Sequence, residues 1–186
     1  AFRMVCGTNL SGIGRAMLVY SNDYDDEFPR AGGRNSQWAQ SISNWLATDR
    51  YTAYGLNRDY SGGSATISSS FYLLIKYAEV TPRSFICPQD VGSTEFKSAV
   101  YGAGDKEYFD LWDFGPNPRE HCSYSYHMPF GKYALTTSSE PGMGVALDTQ
   151  VGDQQDLLYL VLLDVFLPAD ADGGDLCLLH LLTPRP

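Results

Sequence analysis

Apolar residues at Phe2, Cys6, Leu10, Ile13, Met17 and Tyr20 recur in steps of four, four, three, four and three. That rhythm puts them on one side of a 3.6-residue helix and predicts an amphipathic helix over residues 1–21. No capping residue precedes it, so it reads as the second half of a longer helix. Gly7, Ser11 and Gly14 form another helical row, made of small residues. Glycine inside a helix costs up to ~1 kcal/mol relative to alanine. The row is therefore expected to admit another backbone, either the domain's own sheet or a neighbouring helix. An acidic, turn-rich exit follows over 22–33, where Pro29 bars helix continuation.

Further along, Trp38, Ile42, Trp45 and Leu46 suggest a short helix over 36–46, and 51–63 reads as a polar loop. Phe71, Leu74, Ile75 and Ala78 predict a helix over 68–80, capped by Ser68 and ended by Thr81-Pro82. Residues 84–87 read as a short strand. The 91–120 stretch is irregular, with one helical turn near 94–98. Residues 123–128 alternate with period two and give the clearest strand, with further candidates at 132–137 and 143–147. Helices first and strands later predict an α+β domain with an antiparallel sheet. Beyond Leu147 the composition changes: about a third of residues 151–186 are leucine. Its two apolar runs, 157–167 and 176–182, read as a hairpin with strands buried on both faces.

The segment CGTNLSGIGRAMLVYSNDYDDEFP (6–29) resembles the one that follows the hydrophobic N-terminal helix in bacterial prepilin-like proteins. These are the type IV pilin and type II secretion pseudopilin-like chains with a cleaved, methylated N-terminus. The recurring elements are Cys-x-x-Asn-Leu, Ile-Gly, Ala-Met, and Tyr-x-x-Asp-Tyr-Asp before Phe-Pro. FYLLIKYAEVTPRSFICPQD (71–90) and HCSYSYHMPFGKYALTTSSEPGMGVALD (121–148) extend the resemblance over residues 4–148. It implies a pilin-like fold, an N-terminal amphipathic helix packed on an antiparallel sheet with additional short helices. Residues 1–28 would be the lower half of a spine helix with its exit loop, and 29–186 the head, with an atypical ending over 151–186. It also implies a missing membrane-spanning half-helix, a place in the cell envelope, and self-association or assembly with other pilin-like subunits through Gly7, Ser11 and Gly14. The Asp-Gly-His ending usual in that family is absent from this chain.

Charge narrows the partners. With 13 Lys+Arg against 22 Asp+Glu, the chain has a formal charge of −9 and lacks the basic footprint that a nucleic acid requires. No run of about 18 apolar residues crosses a membrane. Cys6, Cys87, Cys122 and Cys177 are widely spaced. Outside the cytoplasm they allow two disulfides, of which Cys87–Cys122 is the expected pair, because both lie in turn-bounded stretches. Buried free thiols are the alternative.

The candidate chemistry is sparse. Asp170, Asp172 and Asp175 around Gly173-Gly174 offer carboxylates at the short spacing calcium uses, and the family resemblance points to the same ion in a C-terminal loop. The spacing departs from an EF-hand, and an ordinary acidic turn is the competing reading. Asp23, Asp25, Asp26 and Glu27 face a helix C-terminus whose dipole they oppose, either as solvated charges or beside a cation or basic partner. His121, Cys122, His127 and Cys87 lack the paired spacing of a zinc site. Motifs for nucleophilic, metalloprotease or phosphate chemistry are missing, and no base stands beside the hydroxyls of 136–139, so no enzymatic activity is expected. Trp38, Trp45, Tyr51, Tyr54, Tyr60, Trp112 and Phe114 are either core or a surface for glycan or a secreted partner. Two functions follow: a filament subunit, or an extracellular binding module without catalysis.

Overall fold

The computed structural model describes residues 2–104, 106–127, 129–130, 136–138, 144–148 and 160–162. Helix and sheet are combined in it. Helix α1 (Phe2–Asp23) buries Cys6, Leu10, Ile13, Met17 and Tyr20, the predicted stripe, together with Ala16. Burying each large side chain contributes roughly 1.5–3 kcal/mol. The helix ends where Asp25 and Asp26 take left-handed φ of 51° and 61° and the Asp26 amide donates back to the Ser21 carbonyl at 3.0 Å. The chain then dives inward at Phe28, which is fully buried.

Helix α1 packs on α3 (Ile67–Ala78), the central helix of the core, in which every residue from Ser69 to Ile75 is buried. Its cap is Thr66, two residues earlier than the Ser68 predicted. The Thr66 hydroxyl accepts from the Ser69 amide at 2.8 Å, and the Ser69 hydroxyl accepts from the Thr66 amide at 3.1 Å. Two further donors are satisfied this way, which is why the helix begins here. Around α3 lies an aromatic core. Tyr72 and Phe114 meet edge to face at 4.9 Å, and Phe71 lies 5.1 Å from Tyr126.

Several sequence expectations are corrected. The 36–46 segment is not a helix. Strand β1 (Gln37–Trp38) pairs in parallel with β2 (Ser64–Ala65), and the Gln37 and Ala39 amides donate to the Gly63 and Ala65 carbonyls, both at 3.0 Å. The 51–63 loop begins inside a short helix, α2 (Arg50–Tyr54), capped by the Asp49 carboxylate at 2.9 Å from the Thr52 amide and closed by Gly55 at φ 65°. The 84–87 strand is instead a 3₁₀ turn, Pro82–Phe85, nucleated by proline at its first position. The turn expected near 94–98 lies at Ser98–Tyr101. Strand β3 (Tyr124–Tyr126) sits where alternation placed it, pairing antiparallel with β4 (Gly144–Asp148), which pairs antiparallel with β5 (Leu160–Leu162).

The disulfide is also corrected. Cys87 bonds to Cys6, with Cα atoms 5.3 Å apart, and not to Cys122. Cys6 lies on the buried stripe of α1 directly against the segment that follows Phe85. Cys122 is a free thiol that donates to the Tyr124 carbonyl at 3.3 Å. Asn9, one turn along α1, strengthens the same junction by donating to the Ile86 carbonyl and the Tyr124 hydroxyl. No helix of the described residues is long and apolar enough to cross a membrane.

Candidate functional site

Where α1 ends, the chain turns three times around a cleft of about 580 Å³. Tyr20, Tyr24, Asp25 and Glu27 come from the end of α1 and its exit. Arg30, Gly32, Gly33, Arg34 and Asn35 come from the next loop, Arg50 from the first turn of α2, and Asp59, Tyr60 and Ser61 from the loop before β2. The β1–β2 ladder fixes the two loops side by side.

Local chemistry explains the loop path. A Cβ on Gly33 would lie 1.8 Å from the Tyr60 carbonyl oxygen, so only glycine lets the two loops touch. Ser36 bridges them: its hydroxyl accepts from the Gly33 amide at 2.8 Å and donates to the Gly62 carbonyl at 2.7 Å. Arg50 reaches across from α2 and donates through Nη2 to the Arg30 and Gly32 carbonyls at 2.9 and 2.6 Å. Its guanidinium also lies 6.0 Å from the centre of the Tyr60 ring, within cation–π range.

The charges are unevenly used. Glu27 takes both Arg30 and Arg34 as ion-pair partners, the latter at 2.5 Å. Arg50 forms no ion pair among the described residues. Arg30 Nε and Nη1 and Arg50 Nε are buried without a hydrogen-bond partner among those residues. Burial lowers the Arg30 pKa, opposed in part by Glu27. Tyr20 stacks on Tyr24 at 4.1 Å, and burial raises the Tyr20 pKa while the Arg50 charge pulls it down. Asp59 is held low by hydrogen bonds from the Ser61 hydroxyl and amide. The cleft is thus a pre-built set of guanidinium donors bordered by tyrosine rings.

Sequence reasoning singled out Glu27 but not its arginine partners. The signal was present in the spacing of Arg30 and Arg34, three and seven residues after Glu27, within a glycine-bearing loop. Nothing along the chain announced Arg50. The other acids of that cluster, Asp23, Asp25 and Asp26, are exposed.

The remaining candidates separate. Gly14 is buried, whereas Gly7 and Ser11 are half-buried, and a Cβ at Gly7 would meet nothing within 4 Å. No other backbone among the described residues therefore requires the glycine there. His121 is a satisfied core histidine. Its Nδ1 donates to the Thr94 carbonyl at 2.8 Å, and its Nε2 is hydrogen-bonded to the Tyr101 hydroxyl at 2.7 Å. Cys87 is spent in the disulfide, and no group of three or more His, Cys, Asp or Glu could hold a metal among the described residues. Asp170, Asp172 and Asp175 lie outside the described residues. Of the seven aromatics, Trp45, Tyr54, Trp112 and Phe114 are core, while Trp38 and Tyr60 are exposed and Tyr51 is half-buried. Tyr51 lies 4.7 Å from Tyr60, which lines the cleft. No family model, no curated protein and no solved structure matches the chain.

Proposed function

We propose that the chain is a structural subunit of a pilus-like or type II secretion pseudopilus-like filament on the bacterial cell envelope, with α1 as part of the spine and the rest as an outer head on a pilin-like α+β fold. The observation that carries this reading is the outward side of α1. Met4, Thr8, Gly12, Arg15 and Val19 follow one another at helical spacing and are all exposed. Met4 and Val19 expose 77% and 54% of their surface, with Val5 beside them at 44%. A 22-residue helix is about 33 Å long, and one that buries only its inner stripe leaves an outer side, with Met4 and Val5 near one end and Val19 near the other, for another subunit. Contact of that side with a different patch on the next copy would be heterologous, the geometry that propagates into filaments. The Cys6–Cys87 disulfide supports an oxidising compartment.

Photo-crosslinking tests the reading in the full-length protein in its own envelope, with the reactive group placed at Thr8 or Val19. Ladders of crosslinked copies, or adducts to another pilin-like subunit, are expected. The Val19→Asp variant should lose them without lowering the melting temperature of the head. Crosslinks confined to monomer at both positions, with no filaments in electron micrographs, would overturn the proposal.

A further inference from the structure

The cleft below α1 has no part in the filament reading and is argued independently of it. We propose that it binds a carboxylate-bearing sugar, a hexuronate residue of an acidic polysaccharide, with Arg30 and Arg50 receiving the carboxylate. Its volume of about 580 Å³ suits one or two sugar rings. Arg30 Nε and Nη1 and Arg50 Nε, on two of the arginines that line the cleft, are buried without an acceptor among the described residues. A buried donor left unsatisfied costs roughly 1–3 kcal/mol, more when charged, so the cleft is set up to gain from an incoming oxyanion.

Charge count selects the kind of anion. Arg30, Arg34 and Arg50 line the cleft with Asp25, Glu27 and Asp59. Glu27 already neutralises two arginines to a large degree, which leaves the unpaired Arg50 as the principal attraction. One such cation suits a singly charged carboxylate, while a phosphate dianion would be repelled more strongly by the three carboxylates that share the lining. The rest of the lining selects the body of the ligand. Tyr24 and Tyr60 present rings, and Asn35, Asp59 and Ser61 present short polar groups, a combination that suits a ring carrying hydroxyls. In a chain with a formal charge of −9, grouping three of its 13 basic residues around one cleft also gives an acidic polymer a local point of attraction.

Titration calorimetry on the oxidised protein tests this with di- and trigalacturonate. Neutral galactose oligomers, acetate, inorganic phosphate and an acidic peptide are run beside them. Saturable binding of the uronates is expected, at least about tenfold tighter than any of the other four. Arg50→Met should reduce it by roughly ten- to a hundredfold, the loss of one charged hydrogen-bonding partner. Because Arg50 also ties the 30–32 loop, a second variant guards against misfolding. Tyr60 sits at φ 61°, a conformation asparagine tolerates, so Tyr60→Asn should keep the melting temperature and weaken uronate binding severalfold. Glu27→Gln should strengthen it severalfold by removing the competing carboxylate. Absence of saturable uronate binding would overturn the proposal. So would equal or tighter binding of neutral sugar, acetate, phosphate or peptide, or uronate affinity unchanged in both Arg50→Met and Tyr60→Asn. None of these results bears on crosslinking along α1, so the two proposals fail separately.

Discussion

Asp113 is a fully buried carboxyl whose pKa is pushed up to about 7 by desolvation, despite a 2.5 Å hydrogen bond from the Thr66 hydroxyl and one from the Phe114 amide at 2.8 Å. Its folded pKa lies above the unfolded value of 3.8, so the native state keeps a proton that the unfolded chain releases. The stability it contributes is complete below the unfolded pKa and is lost as pH rises towards 7, by up to about 1.4 kcal/mol per pH unit. Thermal melts of the native protein and Asp113→Asn between pH 4 and 8 should show the variant gaining relative to the native chain as pH rises, then running parallel above 7. Parallel curves throughout would mean that Asp113 is ionised when folded. At Gly33 the steric argument is simpler, since the built Cβ meets the Tyr60 carbonyl. Gly33→Ala should cost about 1–3 kcal/mol, seen as a lower denaturant midpoint, because backbone rather than a flexible side chain has to move. Neither residue was legible from the sequence. A glycine in a loop and an aspartate between Trp112 and Phe114 take their meaning from partners 27 and 47 positions away.

Element by element, legibility followed locality. The stripe on α1 needed only spacing, and it was buried from Cys6 to Tyr20 as read. The alternation of β3 likewise survived, with Tyr124 and Tyr126 buried around half-buried Ser125. The 36–46 segment failed because the amides of Gln37 and Ala39 found carbonyls near β2, a pairing that no local pattern encodes. Helix α2 was missed although its cap residues, Asp49 and Gly55, were both visible. Of the candidate site, Tyr60 and Glu27 were readable as types, but the cleft itself arises only when three loops converge. Thr66 shows what one element boundary is worth. It caps α3 and also donates to Asp113, so Thr66→Ala should cost about 1–2 kcal/mol in chemical denaturation. Combined with Asp113→Asn, the two losses should fall short of additive by more than about 0.5 kcal/mol, because they remove one shared hydrogen bond.

At the scale of the whole molecule, one covalent link joins the first helix to the middle of the chain. Cys6 and Cys87 are 81 residues apart, so closing that loop restricts the unfolded ensemble by an amount worth about 4 kcal/mol in the chain-entropy description. The same link pins the N-terminal end of α1 beside Ile86 and Tyr124, where Asn9 adds hydrogen bonds. Its distal end is held by the stacked pair Tyr20 and Tyr24 against Tyr77, 5.5 Å from Tyr24. Cys6→Ser with Cys87→Ser should lower the melting temperature by roughly 8–16 °C, at 2–4 °C per kcal/mol for a domain of this size. Cys122→Ser should leave it nearly unchanged, because that thiol only donates weakly to a carbonyl. Non-reducing peptide mapping checks the assignment directly, with Cys6 and Cys87 recovered in one crosslinked fragment. Recovery of Cys87 joined to Cys122 would restore the pairing first expected from the turn-bounded stretches and would detach α1 from this anchor.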